Sequence, residues 1–228
     1  MIKTWHFALL AIVTWCFTSY IQISFEEYAY VYVIVTILIL TFFFKEQENI
    51  KHISLGLVLV ISFEFYSYSL ITERLFPEKP AYFVNGLIFV LHFITDLALF
   101  FYFKNRTRLS ITFISKFQPE KREFIYMTHA DILLVGIYFL FIIVDVSAFI
   151  ENLIRNMDYI FGVAEETAKP YWSWNWIYQS YPYAKAILLA AVVTVLLATV
   201  YVERFRPAPI NESEEDLTPK KSEPQHKS

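Results

Sequence analysis

Four side chains with acid–base chemistry lie inside long apolar stretches of this chain: Glu64, His92, Asp96 and Asp145. Ionisable groups in the hydrocarbon region of a bilayer are costly. They face a bundle interior or a water-filled cavity, and they mark proton relays, ion paths or buried pairs. Asn85, His92 and Asp96 fall at i, i+7 and i+11, one narrow stripe of a helix. His92 and Asp96, at i and i+4, are spaced to touch, with the carboxylate orienting the imidazole. Asp131, Tyr138 and Asp145 repeat every seven residues, and Glu64 pairs with Tyr68 at i, i+4. Three neighbouring apolar segments thus each present one polar stripe. At about 1.5 Å per residue, Glu64 and His92 lie within about 3 Å of their segment midpoints. Asp96 lies about 5 Å to one side and Asp145 about 7 Å to the other, so the four can share one layer.

Several chemistries fit this set. Carboxylates and a histidine at staggered depths can hand on a proton or a cation. Glu, His and Asp also ligate zinc or iron, with Asp96 behind His92. Only His92 lies deep in a segment, however, and H-E-x-x-H is absent, so no metal or cofactor is expected. The same groups can instead bond one another and fix helix pairing, at about 0.6 kcal/mol per contact. Glu64 or Asp145 can also meet a cation of another subunit. The lead reading is a non-enzymatic membrane component that acts with partners and holds a buried polar layer. The alternative is a proton or cation path through Glu64, His92, Asp96 and Asp145, and a metal-dependent intramembrane enzyme comes third.

These residues need apolar helices to position them, and the composition supplies such helices. The 228 residues are 57% hydrophobic, 19% aromatic and only 18% charged, with mean hydropathy +0.44. This excludes a disordered chain, a basic nucleic-acid binder and most soluble enzymes. About 20 apolar residues span a bilayer as a helix. Six stretches qualify or nearly so, at 5–24, 28–44, 53–71, 82–103, 130–150 and 184–202. Five spans is the alternative, with the Glu26-Glu27 turn inside one bent hairpin. All prolines fall outside these stretches, as unbroken helices require. Continuous apolarity, rather than ten-residue alternation, excludes a barrel. The expected fold is an all-α, polytopic helical bundle.

Lys and Arg in the connections set its orientation. One side collects most of them, including Lys104, Arg106, Arg108, Lys116, Lys121 and Arg122; the other carries only Arg74, Lys79, Arg155, Lys169 and Lys185. Both termini are therefore expected in the cytoplasm, and the chain in a cell membrane, a bacterial inner membrane by this reading. Lys3 and the following apolar run resemble a signal peptide, but no small-residue cleavage site follows, so the segment is expected to be retained. Cys16 has no second cysteine to pair with.

The transmembrane domain is expected over 1–203. It includes a basic, partly apolar cytoplasmic loop at 104–129 and an aromatic outer loop at 151–183. Trp172, Trp174 and Trp176 suit an interfacial anchor. The charged, Pro-rich segment 204–228 cannot bury a core and is expected to be a disordered cytoplasmic tail. In span 6, Ala186, Ala190, Thr194 and Ala198 form a small-residue ladder that lets helices approach closely. It serves either packing within the chain or a contact with a second copy or a membrane partner. The lipid bilayer is the remaining partner, and nucleic acid is not one.

Overall fold

The computed structural model describes residues 4–25 and 28–205, with the side chains of 4–7 and 203–205 left out. The Glu26-Glu27 turn and the tail from 206 onward lie outside the described residues. Every regular element among those described is a helix. The main ones are α1 (Thr4–Ser24), α2 (Ala29–Phe43), α3 (Glu48–Ser69), α4 (Ala81–Phe117) and α5 (His129–Arg155). Two short turns, α6 (Met157–Phe161) and α7 (Glu165–Ala168), lead to α8 (Trp176–Phe205).

Four of these helices are long and apolar enough to cross a membrane: Glu48–Leu75, Ala81–Phe117, His129–Arg155 and Trp176–Val202. Two further apolar helices are shorter, Ala8–Ser24 and Ala29–Phe43.

Punctuation in the sequence explains the helix limits. α4 begins directly after Pro80, runs 37 residues and stops short of Pro119, with only Gly86 inside it. At 1.5 Å per residue it is about 55 Å long, well beyond a hydrocarbon core of about 30 Å. Half of the expected basic loop is therefore helix: α4 carries Lys104, Arg106, Arg108 and Lys116, and a 3-10 turn follows at Pro119–Phe124. α5 starts with a capping box, in which Thr128 and Asp131 satisfy each other's backbone and side-chain groups. α3 ends in a π-helical stretch, Leu70–Leu75.

α8 departs from the expected span. It starts at Trp176, so Pro182 lies inside it rather than before it. Proline is tolerated there because it strips only the Tyr178 carbonyl of its helical donor, near the helix start. The Glu151 carboxylate, arriving from α5, secures that start by accepting from the Ile177 and Tyr178 amides at 2.9 and 2.8 Å.

The core joins α2, α3, α4, α5 and α8 through Ile37, Leu57, Leu99, Phe103, Leu134 and Val192, all at most 2% exposed. α1 lies along α8, where the Trp15 indole donates to the Ile187 carbonyl at 3.1 Å. The outward faces are apolar: Ile12, Phe17, Leu59, Phe63, Ile94 and Phe139 are all exposed. A surface of this kind suits lipid rather than water.

Candidate functional site

Glu64, His92, Asp96 and Asp145 converge in the interior, each at most 5% exposed. Glu64 on α3 accepts from Tyr30 of α2 at 2.9 Å and from Thr95 of α4 at 3.2 Å. His92 Nε2 lies 3.4 Å from Glu64 Oε1 and 3.5 Å from the Tyr30 hydroxyl. His92 Nδ1 meets the Tyr181 hydroxyl of α8 at 2.5 Å, and Tyr181 donates to Asp145 Oδ1 at 2.8 Å. Lys185, one turn along α8 from Tyr181, donates to Asp96 Oδ2 at 2.7 Å and to Asp145 Oδ1 at 3.3 Å. Its ammonium also sits 4.7 Å from the Phe141 ring centroid, an attractive cation–π arrangement.

The cation that meets the acids is thus Lys185 of this chain, where the sequence allowed one from another subunit. The expected pairing of His92 with Asp96 does not form either. Asp96 turns to Lys185, and the imidazole is held by Tyr181, Tyr30 and Glu64.

The cluster opens on a cavity of about 710 Å³ lined by Glu64, His92, Asp96 and Lys185 among others. Gln22, Asn85 and Tyr178 also line it, placing it at the end of the bundle where α1 ends and α4 and α8 begin. Towards the other end lies the apolar layer of Leu57, Phe103 and Leu134. Two polar atoms on the cavity wall have no hydrogen-bond partner, the Tyr138 hydroxyl and Gln22 Nε2. Behind the wall, Asp145 stands against the Asp96 carboxyl as well as Tyr181 and Lys185. Buried polar atoms seldom go unpaired, and an occupant with polar groups accounts for them.

A second polar centre sits about 15 Å further along α4. Arg106, fully buried, donates through Nε and Nη2 to the two Asp131 oxygens at 2.7 and 2.6 Å. It also donates to Asn49 Oδ1 at 2.8 Å and to the Tyr126 carbonyl at 2.6 Å. This bidentate pair ties α3, α4 and α5 together. Asp131 belongs here and not with the cavity, although it shares the inward stripe of Tyr138 and Asp145.

No family model, curated protein or solved structure matches this chain. Among the described residues, no three His, Cys, Asp or Glu side chains gather to hold a metal ion, so the metal-enzyme reading finds no ligand set there.

The remaining sequence candidates distribute as follows. Asn85 and Tyr138 line the cavity. Ala186 and Ala190 are buried inside the molecule, and Thr194 and Ala198 are half-buried. Trp172, Trp174 and Trp176 are exposed, Trp176 at 82%. Sequence reasoning missed Lys185, Tyr181, Tyr30 and Arg106. The signal for the first two was the i, i+4 spacing of Tyr181 and Lys185 across Pro182, legible only once α8 is started at 176.

Proposed function

We propose that this chain is an inner-membrane protein whose acid-rich cluster takes up protons or small cations from the cavity, as part of a translocation path. It acts without catalysing a covalent reaction. One observation carries the reading. Two carboxyls, Asp96 and Asp145, share one ammonium, Lys185, and a third, Glu64, lies in the same cluster against Tyr30, Thr95 and His92, beside an open cavity with unpaired polar atoms on its wall. Protons or cations must supply the rest of the charge balance in so buried a place.

The two polar centres of the chain support this by contrast. Arg106 and Asp131 balance in charge, find their remaining hydrogen bonds in Asn49, the Tyr126 carbonyl and Thr128, and act as helix glue. The cavity cluster is neither balanced nor saturated. In this conformation the cavity reaches one end of the bundle, so completing a path requires the apolar layer at Leu57, Phe103 and Leu134 to rearrange.

The membrane arrangement that goes with this function has six spans and both termini in the cytoplasm. α1 and α2 serve as the two short spans, and the tail 204–228 stays in the cytoplasm. The cavity then opens to the outer side, and the basic end of α4 meets the inner leaflet.

Flux through proteoliposomes tests the proposal. Asp96→Asn and Glu64→Gln are expected to abolish proton or cation movement seen with the wild-type chain. Flux unaffected by both changes would return the cluster to a helix-pairing role in a component that works through partners.

A further inference from the structure

The bonding around His92 has a symmetry that a generic acid cluster lacks. On one side stands Tyr181, bonded to Asp145; on the other stands Tyr30, bonded to Glu64. Each imidazole nitrogen faces a hydroxyl, and each hydroxyl touches a carboxyl. The separations from Asp145 to Glu64 are 2.8, 2.5, 3.5 and 2.9 Å, with a direct His92–Glu64 approach of 3.4 Å.

We propose that Glu64 and Asp145 exchange a proton through the chain Tyr30–His92–Tyr181. The inference rests on the reading of the cluster as a proton- or cation-handling site, and it selects the proton.

The transfer balances. The Glu64 proton passes to the Tyr30 oxygen as Tyr30 gives its own to His92 Nε2. The Nδ1 proton passes to the Tyr181 oxygen as Tyr181 gives its own to Asp145 Oδ1. Every O–H or N–H bond broken is matched by one formed. Both tyrosines and the histidine end neutral, His92 has changed tautomer, and one proton has moved from Glu64 to Asp145. The reverse sequence returns it. Histidine suits the middle position because its two nitrogens can act as donor and acceptor in turn.

The surroundings fit an exchange rather than a fixed bond. Lys185 and Asp96 face Asp145; Thr95 faces Glu64; the Tyr68 ring stacks on His92 with centroids 6.5 Å apart. Lys185 bonds both Asp145 and Asp96, so a proton arriving at Asp145 leaves the ammonium its bond to Asp96. Glu64 and His92 line the cavity and can trade protons with water in it. Asp145 has no exposed surface, so its proton leaves through a bonded neighbour, Tyr181 on the relay or Lys185 beside it.

Infrared spectroscopy of the full chain in lipid nanodiscs tests the relay. The C=O band of protonated Asp145 is assigned by its loss in Asp145→Asn, and its shift in heavy water is timed. The wild-type band is expected to exchange as fast as that of Glu64. Tyr181→Phe keeps the ring but removes the relay oxygen. It is expected to slow Asp145 exchange by about 100-fold, the scale of losing a positioned proton-transfer group, and to leave Glu64 exchange unchanged. His92→Gln, which leaves Tyr181 in place, is expected to slow Asp145 exchange as well and so separates the relay from direct exchange between Tyr181 and cavity water, with thermal melting as the control for both. Unaltered Asp145 exchange in either folded variant overturns the relay, as does the absence of a protonated Asp145 band at every pH. Relay-dependent exchange in a chain without transmembrane flux leaves the relay standing and refutes translocation.

Discussion

Replacing Lys185 by methionine removes the one ammonium shared by Asp96 and Asp145 while keeping an apolar stem against Phe141. At an effective dielectric of about 20, unit charges separated by 2.7 and 3.3 Å attract by about 6 and about 5 kcal/mol. The cost of burying the charges offsets much of this gross attraction in the intact cluster. It is not recovered when one partner is deleted, because the bare carboxylates stay buried. Breaking a buried pair in this way costs about 3–5 kcal/mol, and Lys185→Met is expected to lower the unfolding free energy by that amount. Adding Asp96→Asn removes one of the stranded charges, so the double variant is expected to be more stable than Lys185→Met alone, with a coupling of about 1–3 kcal/mol. Equilibrium unfolding in mixed micelles measures all four corners of the cycle. Losses that add within about 0.5 kcal/mol would refute the claim that Lys185 and Asp96 are energetically one unit.

Other consequences follow from the same contacts. Arg106→Met is expected to cost about 3–5 kcal/mol by stranding Asp131, and Asp131→Asn added to it to restore part of the loss in the same unfolding assay. A Cβ on Gly56 would run into the Tyr102 ring, and that ring is pinned by its hydroxyl bond to the His52 carbonyl. Gly56→Ala is therefore expected to destabilise by about 1–3 kcal/mol. Gly136→Ala meets nothing within 4 Å and is expected to gain up to about 1 kcal/mol of helix propensity, both changes being read by thermal melting. Glu151→Ala uncaps α8, so hydrogen exchange at the Ile177 and Tyr178 amides is expected to quicken about fivefold, the equivalent of about 1 kcal/mol.

The inward faces were legible because charge inside an apolar helix has few places to go. Residue type and helical phase put Glu64, His92, Asp96 and Asp145 on inward faces; that those faces meet is visible only in the structure. Phase fixes a face and not a depth, which is why Asp131 joined the Asp145 stripe: the two share a face but stand about 21 Å apart along α5. Lys185 was hidden by the proline at 182. Starting the last span after Pro182 made Lys185 an outer-loop cation, whereas a helix from Trp176 carries it more than two turns inside. Tyr30 and Tyr181 were hidden by their own chemistry. Tyrosine near a span end reads equally as an interfacial anchor, and only tertiary structure aims its hydroxyl at a carboxylate.

Proton movement across sealed proteoliposomes under an imposed potential, followed with an internal pH dye, tests the central claim most directly. The wild-type chain and Glu151→Gln, which lies outside the cluster, are expected to acidify the lumen faster than empty vesicles. Asp96→Asn and Glu64→Gln are expected to fall to the empty-vesicle rate. The same rate in wild type, Asp96→Asn and Glu64→Gln, or no flux above empty vesicles with any of them, would contradict the account.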